Sequence, residues 1–501
     1  MRLFRHYIPI NTIFLVTSEF FIILISVLIS EIVYNTYHSY GELNYYKFVI
    51  IPSMSILIFY IGNIYDGLEM YKIKETLSKL IICYIILLFM ISGIDFVSGV
   101  NLILAKVYLI FSLISILFII IFRSSYKILL KIDKFKNRIL IIGYSDIVKK
   151  IYCEIKKEEF TYNIIGIVCD EIIDKLNINI NIIGKLADLE KIMNIYRPNT
   201  LIIALSERRG NFPIKIIINE KLRGVSVEEI TSFYEKITGK ILIKNLRPSW
   251  IIFADGFRKN NFTTTVKRLY DVFLAIFGLF VSSPLMIIIS VFIKIDSFGP
   301  VFFKQERVGE NGRNFILVKF RTMVADAEKE TGPVWSQTVD TRVTKLGKIL
   351  RRTGMDEIPQ LFNVLRGDMS FVGPRPERPH FVTELQQKIP YYTQRLAVRP
   401  GITGWAQVRY GYGATLEDAI EKLQYDLYYI KNMSIFLDLL IVLSTIHKVV
   451  FARVAVESTK GVSNNKEEEF VEKECQIDSE SIYFTVSGSS GRESKEVKIY
   501  S

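Results

Sequence analysis

Histidine and cysteine are scarce in this chain, with four of each among 501 residues. Cys83, Cys153, Cys169 and Cys475 stand at no metal-ligand or redox spacing. Neither a zinc site nor a disulfide framework is expected, in keeping with a reducing cytosolic face. His6, His38, His380 and His447 are scattered, and nothing supports a Ser-His-Asp or Cys-His machine. No secretory signal with a cleavage site is evident. The first apolar run is long enough to remain as an anchor. Internal repeats are absent too.

What the chain does have is apolar surface and positive charge. Half of its residues are hydrophobic, and its formal net charge is +12. This composition points to a membrane protein with substantial soluble parts. The positive-inside bias of membrane proteins takes the larger share of the basic excess. An anionic lipid or polyphosphate substrate suits the remainder. No nucleic-acid partner is expected, and a homo-oligomer stays open.

Four apolar runs come first, near Ile10–Ile29, Phe48–Ile64, Leu80–Val97 and Leu102–Phe122. Each approaches the ~20 residues that cross a bilayer, the second least convincingly. Basic residues flank the two ends of the unit and its middle connection. Both ends are therefore expected on the cytoplasmic side. A transmembrane four-helix unit is assigned to 1–123. Residues 124–250 read as an α/β accessory domain with strands alternating with helices, a Rossmann-like pattern. Arg138–Ile142 and Asn163–Cys169 are its clearest strands, and Ser145–Glu154 its clearest helix. Asn181–Gly184, Thr200–Leu205 and Lys215–Ile218 are strand or helix pieces. The dinucleotide glycine fingerprint is broken: after Gly143 the next two glycine positions hold Ser145 and Val148. Asp170 stands where a ribose-binding acid would sit, but the missing glycines argue against an NAD site.

A polar linker, 251–265, leads to Val266–Ile295, nearly all apolar but interrupted by Asp271 and by Ser282-Ser283-Pro284. Basic residues lie on both sides, so neither flank favours export. A central proline removes one helical bond, and neighbouring serines can satisfy the freed carbonyl. A re-entrant helix-break-helix with its break at Ser283 and Pro284 is expected, in place of a fifth span. Residues 266–456 hold this element and an α/β domain. Ile435–Val450 reads as an interfacial or core helix, and 457–501 as a disordered tail.

The run from Arg342 to Gln407 carries the chemistry. It contains Met355-Asp356-Glu357-Ile358-Pro359-Gln360, Gly373-Pro374-Arg375-Pro376 and Arg399-Pro400-Gly401-Ile402-Thr403-Gly404-Trp405. Gly354 ends one helix and Pro359 fits the first turn of the next, which puts both carboxylates at a helix N-terminus. Free N–H groups and the helix dipole favour anions there. Proline rigidifies the chain around Arg375 and Arg399, so each guanidinium is presented to a phosphate with little loss of freedom. Mg²⁺ suits a site where phosphates approach a carboxylate.

These motifs, in this order, resemble the catalytic core of the bacterial polyprenyl-phosphate phosphoglycosyl transferases, over roughly residues 266–456. The resemblance implies a membrane enzyme that moves a sugar 1-phosphate from a UDP-sugar onto undecaprenyl phosphate, releasing UMP. It makes Asp356 the nucleophile that forms a phosphosugar adduct, and Glu357 a magnesium ligand or base. Lys319 and Arg321, in a basic motif, are implied to contact phosphate or position the dyad. Asp426 matches a family position as a second metal or substrate contact, or as a helix-surface charge. Such enzymes carry a Ser-Pro break in a re-entrant helix and work at the cytoplasmic face of the bacterial inner membrane, where they start exopolysaccharide, capsule or O-antigen synthesis. Two alternatives stand beside this reading: an NAD-dependent nucleotide-sugar dehydratase and a non-catalytic membrane scaffold.

Overall fold

The computed structural model describes residues 2–3, 6–7, 9–37, 45–65, 73–99, 103–130, 132, 136–157, 161–170, 181–204, 212–243, 256–257, 261–324, 342–411, 413 and 415–450. The expected tail, 457–501, lies outside them.

Four helices open the chain: α1 (Ile10–Tyr37), α2 (Lys47–Ile61), α3 (Ile73–Ser98) and α4 (Ala105–Leu130). Consecutive helices pack together, and α1 closes the unit against α4. Ile23, Phe59, Leu87 and Phe111 fill its core, while Phe21, Phe89 and Leu113 face outward. An apolar exterior of this extent belongs in lipid. By length and composition α1, α3 and α4 reach across a membrane, and α2 does not. The 15 residues of α2 rise only about 23 Å at 1.5 Å each, against a hydrocarbon core of about 30 Å. Charge inside the unit is paired: Arg123 meets Glu19 at 2.6 Å, and Tyr65 donates to the same carboxylate at 2.8 Å. The helix α4 continues past residue 123, so the fold changes only after Leu130.

A five-stranded, all-parallel sheet follows. Its strands are β1 (Asn137–Ile142), β2 (Tyr162–Val168), β3 (Ile182–Gly184), β4 (Thr200–Ile203) and β5 (Ser226–Glu229), in the order β3-β2-β1-β4-β5. Helices α5 (Asp146–Lys157), α6 (Leu189–Tyr196), α7 (Ile214–Leu222) and α8 (Ile230–Thr238) cover it. Ile139 and Ile141 point to α5 and α8, and Leu140 and Ile142 to α6 and α7. The alternation of strand side chains thus builds two cores from one run of apolar residues. Lys215–Ile218 resolves as helix. Asp170 accepts from the Leu186 amide at 2.9 Å, so this carboxylate holds a turn. Cys83 and Cys169 are free and buried.

Helix α9 runs unbroken from Asn261 to Asp296. It therefore takes 261–265 out of the expected linker. It also corrects the expected helix-break-helix: the backbone stays helical through Ser282-Ser283-Pro284. The physical reason is local. Pro284 has no N–H to give the Phe280 carbonyl, and the Ser283 hydroxyl donates to that oxygen at 2.8 Å instead.

The remaining domain wraps both halves of α9. Its elements are β6 (Phe302–Val308), β7 (Asn314–Phe320), α10 (Lys345–Thr353), α11 (Gln360–Arg366), β8 (Ser370–Val372), α12 (Pro379–Lys388), β9 (Gly401–Thr403), α13 (Trp405–Arg409), α14 (Leu416–Asn432) and α15 (Ile435–Val450). The strands β6 and β7 form an antiparallel hairpin, and β8 pairs with β9 in parallel. Ala275 and Leu279 pack with Leu361 and Val364; Met286, Ile289 and Ile293 pack with Phe320 and Leu350. Between these contacts Phe280 and Val281 stand exposed.

The three regions touch. Trp405 Nε1 donates to the Gly239 carbonyl at 2.7 Å, and Lys431 meets Glu235 at 2.6 Å. His447 Nδ1 donates to the Ile61 carbonyl at 2.6 Å, and His6 bonds the Tyr428 hydroxyl at 3.0 Å.

Candidate active site

The expected turn between two helices is where the carboxylates sit. Thr344 caps α10, accepting from the Gly347 amide at 3.0 Å. Gly354 ends that helix at φ +72°, a left-handed conformation glycine adopts without strain. Met355–Glu357 then form a single 3₁₀ turn, and Pro359 leads into α11. Asn363 fixes this helix to the hairpin: it donates to the Ile316 carbonyl at 2.7 Å and accepts from the Val318 amide at 3.1 Å.

Glu357 accepts from two cations on one oxygen. Lys319 Nζ, near the end of β7, and Arg375 Nη2 each lie 2.6 Å from Oε1. Arg375 Nη1 is 3.4 Å from Oε2. Burial would raise this carboxyl, but Arg375 and Lys319 prevail and hold it well below the ordinary range. Asp356 differs. It is 8% exposed, and no described group donates a hydrogen bond to its carboxylate. Burial pushes its pKa up, against the pull of Lys319, Arg351 and Arg375. Two neighbouring carboxyls are thus set apart: one neutralised by its partners, the other buried with no hydrogen-bond donor among the described residues.

Arg375 is aimed by the strand before it. Gly373 follows β8 so closely beside β9 that a Cβ there would lie 2.4 Å from the Arg399 carbonyl. Only glycine lets the two backbones approach this way.

Asp356, Glu357, Lys319 and Arg375 come together as expected. Arg321 does not join them. Its guanidinium is turned to the end of α9, donating to the Ser297 and Phe298 carbonyls at 2.6 and 2.8 Å. Those carbonyls lack helical partners, and a cation is their natural cap. Arg399 pairs with Glu310 at 3.5 Å, apart from the dyad. Asp426 is buried against Arg395 at 3.0 Å and shares nothing with Glu357. The donor set therefore does not fit Mg²⁺ as expected. Both assigned ligands are already neutralised by cations, and no group of three metal-ligating side chains occurs among the described residues.

Sequence reasoning missed three arginines. Arg351 lies in the field of Asp356 and donates to Thr322 Oγ1 at 2.8 Å. Arg268 caps α11 through the Val364 and Leu365 carbonyls at 2.6 and 2.8 Å. Arg395 holds Asp426. Arg351 precedes the dyad by five positions, the one signal that was available. The other two are joined to their partners only by the fold.

Fold and site together define a membrane-attached α/β domain in which two adjacent carboxyls meet a cluster of cations. The chain belongs to the bacterial sugar transferase family, whose pattern matches residues 262–452. It is 42% identical over 229 residues to UDP-N-acetylgalactosamine-undecaprenyl-phosphate N-acetylgalactosaminephosphotransferase of Aeromonas hydrophila, covering 46% of this chain and 53% of that protein. It is 38% identical over 258 residues to UDP-glucose:undecaprenyl-phosphate glucose-1-phosphate transferase of Xanthomonas campestris pv. campestris, covering 50% of each. The chain thus spans about half the length of these two relatives. Against the exopolysaccharide production protein PSS of Rhizobium leguminosarum bv. phaseoli it is 41% identical over 201 residues, 39% of this chain and 96% of that protein.

Proposed function

We propose that this chain is a phosphoglycosyl transferase that moves a sugar 1-phosphate from a UDP-sugar to undecaprenyl phosphate and so starts a lipid-linked glycan. One observation carries the reading: in a cluster of cations, Asp356 is the carboxylate left open while its neighbour Glu357 is saturated. An Asp356 oxygen attacks the β-phosphorus of the UDP-sugar. The bond from that phosphorus to the bridging oxygen breaks, and UMP leaves with the electron pair. A lipid phosphate oxygen then attacks the same phosphorus, and the Asp356 carboxylate departs. Splitting one transfer into two steps in this way is covalent catalysis. Arg375 and Lys319 neutralise the approaching diphosphate and Glu357 together, and Glu357 in turn holds both cations in place. Mg²⁺ would supply further charge neutralisation, and its ligands would come from substrate oxygens and water rather than from Glu357 or Asp426.

The membrane arrangement supports the same reading. The exposed centre of α9, between two halves packed on one domain, fits a re-entrant element that dips into the inner leaflet and returns. Pro284, at its centre, is where such a helix would bend. The accessory sheet, parallel with helices on both faces, is read as Rossmann-like. Its broken glycine pattern and engaged Asp170 disfavour the dehydratase alternative. The ends of α1 and α2 that basic residues place inside are the ends that meet α14 and α15 through His6 and Ile61. That supports a catalytic domain on the cytoplasmic face of a bacterial inner membrane.

The test is mass spectrometry of full-length protein quenched during turnover. A phosphosugar adduct is expected on Asp356 and absent in Asp356→Asn. Undiminished UMP release by Asp356→Asn sinks the assignment.

A further inference from the structure

The segment Pro374-Arg375-Pro376-Glu377 has few amide donors of its own, yet each of its four carbonyls is held. Gly401 N donates to Pro374 O at 3.0 Å, and Arg307 Nη1 to Pro376 O at 2.9 Å. Val308 N donates to Glu377 O at 2.9 Å. The Arg375 carbonyl is taken by a side chain, Arg395 Nη2, at 2.9 Å. The same guanidinium is fixed from behind: Nε and Nη2 donate to Asp426 Oδ2 at 3.1 and 3.0 Å, and Nη1 to the Tyr392 hydroxyl at 3.0 Å. Arg395 is 7% exposed and Asp426 2%.

A buried ion pair is weak evidence for stability, since apolar residues of like volume often serve as well. What this pair does is geometric. The residue before a proline is confined to extended backbone, which already narrows Arg375. Pinning its carbonyl removes the remaining freedom of the peptide that follows, while the side chain reaches the other way to Glu357.

We propose that Arg395 is a positioning residue. It never faces the dyad, but it locks the Arg375 backbone so that the guanidinium meets Glu357 and the diphosphate, and Asp426 sets the orientation of Arg395. This inference rests on the phosphoglycosyl transferase reading for its kinetic consequence, though its structural consequence is independent of it. A lysine cannot hold Asp426 and the Arg375 carbonyl in one plane, because it lacks the guanidinium fork.

The experiment uses full-length protein in detergent and compares wild type with Arg395→Lys, Asp426→Asn, Arg375→Ala and the Arg395→Lys/Arg375→Ala pair. UMP release should fall at least tenfold in Arg395→Lys, with kcat reduced more than KM is raised. Adding Arg395→Lys to Arg375→Ala should cost nothing further, because both changes act through one guanidinium. Full additivity in that pair overturns the proposal. Hydrogen exchange of the peptide spanning Gly373 to Glu377 gives a readout that needs no turnover: it should quicken in Arg395→Lys, and unchanged exchange there overturns the proposal too. If Arg395→Lys does not fold, Asp426→Asn, which keeps the volume and one acceptor, carries both measurements with the same criteria. A wild type that releases no UMP from any UDP-sugar would count against the function reading alone, and exchange would still decide the role of Arg395.

Discussion

The Ser283 hydroxyl donates at 2.8 Å to the Phe280 carbonyl, the one oxygen in α9 that Pro284 deprives of its helical partner. The sequence Ser-Pro thus carries both a disruption and its repair. An interior proline costs a helix about 3 kcal/mol or more, and an unpaired buried carbonyl about 1–3 kcal/mol. In Pro284→Ala the amide returns and a straight helix becomes favoured. A cysteine introduced by Phe298→Cys, on the exposed residue just beyond α9, reports the result. In intact cells an impermeant maleimide should leave it unlabelled in the Pro284 background and label it in Pro284→Ala. Labelling already present with Pro284 in place would rule out a re-entrant α9.

Asp356 and Glu357 have pKa values shifted in opposite directions. Asp356 has a pKa raised by burial above its usual 3.8, and Lys319 is the leading opposing cation. Attack requires the ionised form, so turnover should fall as pH drops through a value above 3.8. Lys319→Met should move that acid limb higher still, as a pH profile of single-turnover UMP release would show. Stability follows a different course. Glu357 is held below its usual 4.5, so its contribution is full above that value and fades as pH falls toward its lowered pKa. Activity should therefore be lost at a higher pH than the fold. An acid limb unmoved by Lys319→Met would argue against Asp356 as the titrating group.

Much of this architecture was legible because it is periodic or punctuated. The apolar runs announced α1, α3, α4 and α9, and Gly354 with Pro359 announced the turn that carries the dyad. Strand β5 was not legible: Ser226-Val227-Glu228-Glu229 lies at the sheet edge, where one flank needs no apolar run. Lys215–Ile218 was ambiguous because a short apolar run fits helix and strand alike. The misread Arg321 and Asp426 and the missed Arg395 share one cause. They are charged groups whose partners are carbonyls or charges far along the chain. A charged residue in a motif looks the same whether it meets a phosphate or a helix end. Asn363 gave a fainter signal: an asparagine inside an apolar helix competes with the backbone unless something distant holds it, and here β7 does.

The saturation of Glu357 has a consequence for metal binding. Mg²⁺ takes oxygen ligands and keeps several waters, and the charge of Glu357 is already met by Lys319 and Arg375, both on Oε1. Calorimetric titration of Mg²⁺ into nucleotide-free protein should show no binding in the micromolar range. Adding a non-hydrolysable UDP-sugar analogue should create it. Tight binding without nucleotide, lost in Glu357→Gln, would restore Glu357 as a ligand.

Arg321 and Arg375 are both arginines of expected phosphate-binding motifs, yet their substitution should fail in different assays. Arg321 is buried and spends its donors on the Ser297 and Phe298 carbonyls and on the Ser297 hydroxyl. Hydrogen bonds from a charged group contribute about 1.5–3 kcal/mol each. Arg321→Ala should therefore lower the melting temperature by several degrees while the KM for UDP-sugar in the surviving protein holds. Arg375 is a third exposed and its guanidinium reaches Glu357. Arg375→Ala should lower melting less than Arg321→Ala does, because Lys319 still pairs with Glu357, and lower kcat/KM about 100-fold, roughly 2.7 kcal/mol of transition-state stabilisation, in the range seen for loss of one oxyanion donor. Melting curves and steady-state kinetics on the two variants settle the matter. A raised KM with an unaltered melting temperature in Arg321→Ala would return that residue to the substrate site.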